Sequence, residues 1–350
     1  MTHKRHRFSI CIPAYNRARY LAALLDSVLA QDYRNFEIVI CEDDSPERKQ
    51  IAEIVKAYSV RYPDVIRYHE NEHNLGYDAN VRNLIARATG EFCFFMGNDD
   101  LMCPGALSHA AGILNRHRDI GLVLKSYAWF DSSPEVINQK VRYFTEERRF
   151  ASGSEAITVC FRRSGVISGY IVDRDAAHAN ATDRFDGTLY YQLHLTASVL
   201  ARKHAIFTPE ILVLCRNSER PDFGNSRKEA AKFVPGRYTP RARLHMVASA
   251  LSIIRYHDRI SGLRLAEPVM RDYANYFYPY IRDQLCLDAS GFLDLCFKFA
   301  RMGLYRYPLF HLNCLAAYLL GEKRCDAATR IVRGYLGRSP QFGIRQSGTR

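Results

Sequence analysis

Residues 8–46 read FSICIPAYNRARYLAALLDSVLAQDYRNFEIVICEDDSP. The two short runs FSICI (8–12) and FEIVI (36–40) are rich in β-branched and aromatic residues, as buried strands are. The segment between them has apolar residues at helical spacing from Leu21 to Val28. A strand, a helix and a second strand in this order predict two parallel strands joined by a crossover connection.

The same alternation continues to about residue 128. Three more strand-like runs and three more helical patterns follow in turn, and Pro104 is expected at a first helical position. The strand-like runs are VIRYH (65–69), EFCFFM (91–96) and IGLVLKSY (120–127), and the helical patterns lie at 46–62, 77–88 and 104–116. We therefore predict the α/β class, with a mainly parallel, doubly wound sheet whose ligands bind beyond the carboxyl ends of the strands.

The alternation of strand-like and helical segments becomes less regular after residue 130, and from about Pro240 the pattern is helical. Strands are expected near 141–144, 167–172 and 205–214, and helices at 154–162 and 188–202. We predict an α/β domain over residues 1–225, followed by a helical C-terminal region over residues 226–350.

Composition excludes several classes of protein. With 350 residues, of which 47% are hydrophobic, the chain is neither disordered nor a disulfide-stapled miniprotein. Its ten cysteines form no CxxC pair, which predicts buried thiols in a reducing compartment. No signal peptide and no apolar stretch long enough to span a bilayer is recognised, so the expected location is the cytoplasm.

The net charge of +12 is concentrated in the C-terminal part of the chain. Residues 1–200 carry 24 Lys and Arg against 25 Asp and Glu, whereas residues 201–350 carry 25 against 12. A basic, aromatic-bearing helical surface is attracted to an anionic membrane leaflet, which leaves peripheral contact with the inner face of the membrane open. The aromatic residues Tyr273, Tyr276, Phe277 and Tyr280 recur at helical spacing, which favours a packed core over a nucleic-acid surface. No nucleic-acid partner is expected.

Three of the predicted strands end in polar segments. The first ends in Pro13–Arg17, the second in Glu42–Pro46 and the fourth in Gly97–Asp100. A carboxylate can accept hydrogen bonds from a base or a ribose, while Asp99 and Asp100 can hold a divalent cation that bridges two phosphates. Each Asp cluster alone is also typical of a helix cap or a turn. Their occurrence at three neighbouring strand ends favours a shared ligand site.

Residues 11–47 (CIPAYNRARYLAALLDSVLAQDYRNFEIVICEDDSPE) and 74–100 (NLGYDANVRNLIARATGEFCFFMGNDD) resemble the nucleotide-sugar domain of family 2 glycosyltransferases. The resemblance is close over roughly the first 110 residues and implies the GT-A fold for the α/β domain. It further implies an inverting, metal-dependent, hexosyltransferase-type enzyme of bacterial surface-polysaccharide synthesis. Its donor would be a nucleoside-diphosphate sugar, and its acceptor a hydroxyl of a saccharide or a lipid-linked saccharide.

The resemblance also assigns roles to individual residues. The residues expected to bind the nucleotide are Pro13, Tyr15, Asn16, Arg17, Glu42, Asp43, Asn74, Arg82, Asn98 and Asp99. Asp99 and Asp100 are expected to bind Mg²⁺ or Mn²⁺. The chain departs from the family pattern at Gly97, where an acidic residue is usual, so one carboxylate of that pattern is missing here.

A second departure concerns the general base. Family members often carry an acidic pair before the late helix, and this sequence has Tyr190 and Tyr191 where that pair is expected. A general base must reach the acceptor hydroxyl within hydrogen-bond distance. We predict Asp186 as the catalytic base, with Asp183 and His194 as further candidates. Alternatively, Asp183 and Asp186 cap the helix that starts at Thr188.

Other motifs support competing interpretations. His69–His73 spells HExxH, but a zinc site of this type needs a helix, and this segment follows a strand. No phosphate-binding GxGxxG or GxxxxGK[ST] motif follows the first strand. Arg216, Asn217 and Arg220 either reach the diphosphate or lie in a solvated loop. The alternative functions are a nucleotidyltransferase on a similar fold and a non-enzymatic, basic membrane-binding or nucleic-acid-binding protein.

Overall fold

The computed structural model describes residues 5–217, 219 and 221–335. Its strands are β1 (Phe8–Ala14), β2 (Phe36–Glu42), β3 (Ile66–Glu70), β4 (Phe92–Phe95), β5 (Leu101–Met102), β6 (Ile120–Phe130), β7 (Ile137–Val141), β8 (Arg148–Phe150), β9 (Tyr170–Asp173) and β10 (His204–Arg216). Its helices are α1 (Ala18–Leu29), α2 (Arg48–Arg61), α3 (Tyr77–Arg87), α4 (Ala106–Arg116), α5 (Ser154–Arg163), α6 (Arg174–Ala179), α7 (Tyr191–Leu200), α8 (Arg227–Ala230), α9 (Pro240–Ser261), α10 (Ala266–Asn275), α11 (Tyr278–Ile281), α12 (Ala289–Arg301) and α13 (Pro308–Tyr335).

The strands form one sheet in the order β3-β2-β1-β4-β9-β6-β10-β5, with β7 beside β6 and β8 beside β10. Strand β1 pairs in parallel with both β2 and β4, and β2 pairs in parallel with β3. This confirms the predicted mainly parallel sheet. Because the chain moves outward from β1 in both directions, the carboxyl ends of β1, β2 and β4 meet at a topological switch point.

Both faces of the sheet are covered, as predicted for a doubly wound fold. Ile10 and Ile12 of β1 pack into one core cluster with the buried faces of α1, α2 and α4. Cys11 points to the opposite face, into a cluster with α3, α5 and α7. Apolar residues therefore occupy successive positions of FSICI because both faces of the strand are buried. All ten cysteines are free thiols.

Two predicted element bounds differ from the structure, and the sheet contains one insertion that the alternation does not predict. Simple alternation would place β6 directly beside β4, but β9 inserts between them and is antiparallel to both. Helix α4 begins at Ala106 rather than at Pro104, because Gly105 adopts a left-handed conformation with φ of 73°. Strand β7 also lies earlier than the predicted 141–144.

The helical C-terminal region packs against the sheet domain. Tyr273 and Phe277 are buried, which confirms the core interpretation for these two rings. Arg162 and Arg163 of α5 pair with Asp272 of α10 at 2.6 and 3.2 Å. The boundary after residue 225 stays a prediction. Among the described residues, no helix is both long and apolar enough to cross a bilayer.

Candidate active site

A cavity of about 360 Å³ opens at the switch point, beyond the ends of β1, β2 and β4. Eight of the twelve predicted site residues line it: Pro13, Tyr15, Arg17, Asp43, Asn74, Asn98, Asp99 and Asp100. Asp43 and Asp100, which are far apart in the sequence, therefore share one cavity. Parallel strand pairing brings them together, because it aligns the carboxyl ends of neighbouring strands.

Asp99 and Asp100 form an acidic pair in the wall of this cavity. Both side chains are buried, and burial together with the neighbouring Asp99 carboxylate raises the pKa of Asp100 to about 7. Asp100 accepts hydrogen bonds from the Ser168 hydroxyl and, at 2.7 Å, from the Arg216 backbone N–H. Two adjacent carboxylates whose charges repel each other fit a divalent cation, which in proteins commonly binds one or two carboxylates plus substrate phosphates.

Steric crowding explains why position 97 is a glycine and not an acidic residue. A Cβ atom at this position would lie 2.9 Å from Oδ2 of Asp100 and 3.1 Å from Oγ of Ser168. An acidic side chain, as the family pattern usually has here, would therefore displace the hydrogen bond between Asp100 and Ser168. The close approach of these two side chains occupies the space that the family carboxylate would need.

The turn after β1 carries Arg17 into the acidic site. Asn16 and Arg17 both adopt left-handed backbone conformations, with φ of 52° and 61°. Non-glycine residues hold this conformation at a cost of about 1 kcal/mol or more, so tertiary contacts must stabilise it. Arg17 donates to Oδ2 of Asp99 at 2.5 Å and to Oδ2 of Asp222 at 2.9 Å. These contacts place a guanidinium beside the acidic pair.

Asp43 organises the opposite wall. Its carboxylate accepts hydrogen bonds from Asn71 Nδ2 at 2.8 Å, from the Leu75 N–H at 2.9 Å and from the Gly76 N–H at 3.0 Å. Burial raises the pKa of Asp43 even though these hydrogen bonds act to lower it. The segment before α3, which carries Asn74, is thereby held against the cavity.

Four predicted residues do not line this cavity. Glu42 is fully buried and accepts hydrogen bonds from the Ser45 N–H at 2.7 Å and from Nε of Arg48 at 2.5 Å, so it stabilises the loop after β2. Asn16 donates to Asp222 at 3.2 Å. Arg82 and Asp186, the remaining two, lie together in a separate cavity of about 1110 Å³.

The structure argues against Asp186 as the general base. Burial alone would raise the pKa of Asp186, but hydrogen bonds from Arg82 at 2.5 Å and from Lys228 at 2.6 Å hold it below its ordinary value. Two cations therefore neutralise the Asp186 carboxylate, which lies outside the cavity that holds Asp99 and Asp100. A group held in this way is a poor acceptor for a proton.

The other sequence-based candidates are also placed elsewhere. Asp183 is exposed and lines neither cavity. His194 is buried, hydrogen-bonded to His257 at 3.0 Å and to the Asn180 carbonyl at 2.8 Å. His69 lies in β3, which contradicts a helical zinc site, and among the described residues no group of three or more ligands for a metal occurs.

Asp78 is a supporting residue that sequence reasoning missed. Helix α7 starts at Tyr191 instead of Thr188, and neither Asp183 nor Asp186 caps it. The buried Asp78 carboxylate instead accepts from the backbone N–H groups of Thr188, Leu189 and Tyr191 at 2.8 to 2.9 Å. Asp78 thus anchors the segment that brings Tyr190 and Gln192 to the cavity. No local pattern indicates this contact, which joins positions more than a hundred residues apart.

The loop after β10 closes one side of the site. Arg216 lines the cavity, and its guanidinium lies 4.0 Å from the Tyr20 ring centroid. Glu219 and Asp222 line the cavity as well, and Glu219 accepts from the Tyr20 hydroxyl at 2.6 Å. Asn217 instead contacts Asp131 at 3.2 Å. Arg220 lies outside the described residues.

Comparison with solved structures identifies the fold. The structure resembles Staphylococcus aureus TarS 1–349 in complex with UDP, with a TM-score of 0.60 at 16% identity over 94% of this chain and 92% of that chain. It also resembles the mannosyltransferase PcManGT from Pyrobaculum calidifontis in complex with GDP-Man and Mn²⁺, with a TM-score of 0.50 at 14% identity over 91% and 89% of the two chains. The predicted GT-A fold with a helical C-terminal region is confirmed.

Residues 9–170 match the family model for glycosyl transferase family 2. Over 114 residues the chain is 34% identical to the abequosyltransferase RfbV of Salmonella typhimurium. That alignment covers 33% of this chain and 34% of the length of RfbV, so the match spans about a third of each protein.

Proposed function

We propose that this protein transfers a sugar from a nucleoside-diphosphate sugar to a hydroxyl of a saccharide or lipid-linked saccharide in cell-surface polysaccharide synthesis. The reaction proceeds with inversion at the anomeric carbon and uses Mg²⁺ or Mn²⁺. One observation carries the proposal: Arg17, Asp43, Asp99 and Asp100 converge on a single cavity at the switch point of the sheet. The family match and the sugar-transferring relative support it.

The charge of each residue in the cavity determines which part of the donor it would bind. Asp43 and Asn74 would bind the base and ribose, which offer hydrogen-bond donors to a carboxylate and an amide. Arg17 and Arg216 lie beside the acidic pair, where they would contact the diphosphate oxygens. Asp99 and Asp100 would hold the divalent cation, which when bound neutralises charge on the departing diphosphate.

Nucleotide binding tests this function directly. We expect calorimetry with UDP, GDP, CDP and dTDP to show binding of at least one nucleotide that is much tighter with Mn²⁺ than in excess chelator, because the cation joins the phosphates to the acidic pair. Release of pyrophosphate from a nucleoside triphosphate and a sugar phosphate would instead indicate a nucleotidyltransferase. Binding to anionic vesicles or oligonucleotides without any nucleotide binding would favour a non-enzymatic protein and overturn the proposal.

The C-terminal helices carry an exposed apolar patch that fits contact with a membrane. We define it as Leu293, Phe297, Leu312, Leu315 and Leu319, all at least half exposed. It lies on α12 and α13, which pack together through the stacked rings of Phe292 and Tyr318. Exposed basic residues follow it in the sequence: Arg301 at the end of α12, and Lys323 and Arg324 beyond the kink at Gly321 in α13. This combination of apolar and basic groups is complementary to an anionic bilayer surface, where a lipid-linked acceptor resides.

Substitution of the patch should therefore weaken vesicle binding. We expect the triple variant Leu312→Gln, Leu315→Gln, Leu319→Gln to bind phosphatidylglycerol-containing vesicles at least about tenfold less tightly in co-sedimentation, because three leucine side chains lose their apolar burial. The matched control replaces Val60, Val136 and Ile260, which are equally exposed but remote in sequence, with Gln. Equal binding by the two triple variants would contradict membrane contact through this patch.

A further inference from the structure

A third cavity, of about 180 Å³, adjoins the cavity that holds the acidic pair. The two cavities share six lining residues: Trp129, Gly165, Val166, Tyr190, Tyr238 and Arg243. The two cavities therefore border each other at Trp129 and Tyr190. We call the third cavity the aromatic cavity, because seven aromatic side chains line it: Tyr127, Trp129, Tyr143, Tyr190, Tyr238, Tyr273 and Tyr280.

The floor of the aromatic cavity is a ribbon of β6 and β7. Trp129 lies directly opposite Gln139 in the antiparallel pairing, and Tyr127 lies opposite Val141. These four side chains project from the same face of the ribbon, because side chains alternate along a strand. The rings of Tyr127 and Trp129 meet edge to face with centroids 5.7 Å apart. This contact fixes the orientation of the indole at the junction of the two cavities.

Polar groups at the junction are available to a ligand. Within the described part of the chain, neither the Tyr190 nor the Tyr238 hydroxyl makes a hydrogen bond to another protein group, although both rings line both cavities. Burial raises the pKa of both hydroxyls, so they stay protonated and can donate. Arg243 is held nearby by Asp283 at 2.6 Å, with its guanidinium 3.9 Å from the Tyr238 ring centroid.

The aromatic cavity contains no carboxylate among its described lining residues. Asp272 pairs with both Arg162 and Arg163, and Asp283 pairs with Arg243, so these three guanidinium groups and two carboxylates leave one net positive charge. The cavity therefore presents aromatic faces and hydroxyl donors without a strong net charge. A pyranose has the matching chemistry, with an apolar C–H face that can lie on a ring and hydroxyls that accept hydrogen bonds.

We propose that the aromatic cavity binds the terminal sugar ring of the acceptor, stacked on Trp129 and hydrogen-bonded by Tyr190 and Tyr238. This inference rests on the proposed function, because it gives the sugar acceptor a place next to the donor. Tyr190, which stands where the family usually has an acidic residue, then acts in binding and not as a base.

Fluorescence gives a direct test, because Trp129 is the one tryptophan of the sequence. The full chain, with Mn²⁺ and the nucleoside diphosphate that it binds, is titrated with methyl pyranosides of the common hexoses and of N-acetylglucosamine. Sorbitol, which has hydroxyls but no ring, serves as the ligand control. We expect a saturable change in Trp129 fluorescence with at least one pyranoside and none with sorbitol.

A pair of variants on β7 identifies the cavity. Gln139→Phe places a ring opposite Trp129, inside the aromatic cavity, and should weaken pyranoside binding by about tenfold or more. Lys140→Phe adds the same ring to the other face of the strand and should leave binding unchanged. Thermal unfolding checks that both variants are folded.

Two outcomes would overturn this inference: no saturable response to any pyranoside, or equal responses from the two variants. Calorimetry distinguishes the failure of this inference from the failure of the proposed function. If the wild-type chain binds nucleotide with Mn²⁺ but shows no sugar response, only the aromatic cavity is reassigned. If it binds no nucleotide at all, the donor site itself is refuted.

Discussion

Replacing Asp100 with Asn should reduce sugar-nucleotide turnover by at least about 100-fold. Losses of this size are typical when an enzyme loses one group that stabilises charge in the transition state. An amide has nearly the size of a carboxylate but carries no charge with which to hold a divalent cation. The rate is measured as release of nucleoside diphosphate from the sugar nucleotide that binds, with Mn²⁺ present. The loss should be accompanied by loss of Mn²⁺-dependent nucleotide binding.

The fold of this variant should be intact. Burial and the Asp99 carboxylate raise the pKa of Asp100 to about 7, so the folded protein disfavours the charge that Asn removes. We therefore expect an unfolding temperature at or slightly above that of the wild type. Wild-type turnover by Asp100→Asn, or full activity of the wild type in excess chelator, would remove the metal from the mechanism.

Asp186→Asn is the matched control, because it makes the same chemical change in the neighbouring cavity. Asp186 is paired with Arg82 and Lys228 and does not line the cavity that holds Asp99 and Asp100. We expect turnover within a few-fold of wild type. A loss as large as that of Asp100→Asn would reinstate Asp186 as the general base, in agreement with the expectation from sequence.

The second large effect is expected on stability. Asp78→Ala should lower the free energy of unfolding by about 3 kcal/mol, because three backbone N–H groups, those of Thr188, Leu189 and Tyr191, lose their acceptor. Leu189 also has a left-handed backbone, with φ of 64°, that these contacts help to hold. The decrease is measured as a shift in the urea-unfolding midpoint.

Asp175→Ala provides the comparison for this variant. Asp175 also lies in the first turn of a helix, but its side chain is 80% exposed and pairs with the partly exposed Arg174, so its loss should change stability by less than about 0.5 kcal/mol. Because Asp78 anchors the segment with Tyr190 and Gln192, Asp78→Ala should also weaken pyranoside binding. Equal unfolding midpoints for the two variants would show that Asp78 does not anchor this segment.

The alternation of strands and helices up to residue 128 could be recognised from sequence because it rests on local periodicity. FSICI and FEIVI are apolar at consecutive positions, which is the pattern of strands buried on both faces. Parallel crossovers then align the carboxyl ends of these strands, so the meeting of Asp43 with Asp100 followed without any knowledge of distances. The acidic pair and its meeting with Asp43 in one cavity are the parts of the candidate site predicted in this way.

The acceptor side depends on contacts that leave no periodic signal. Strand β9 is only four residues long, and its antiparallel place between β4 and β6 is set by pairing with strands that are distant in the sequence. Asp78 caps a segment 110 residues away, and Asp186 is neutralised by Arg82 and Lys228 from two different elements. A carboxylate in a sequence shows neither its burial nor its partners, and these decide whether it binds a metal, accepts a proton or only supports a loop.

The sequence by itself therefore determined the parallel part of the sheet, its switch point and the meeting of Asp43 with the acidic pair, because strand periodicity and crossover handedness are local rules. Only the tertiary structure decided that Asp186 is paired away from the cavity and that Tyr190, Tyr238 and Arg243 meet Trp129 in the aromatic cavity. These four side chains of the aromatic cavity come from β6, from the segments that directly precede α7 and α9, and from α9 itself. Long-range packing brings such distant segments together, and it is specified by the shape and partners of the whole core.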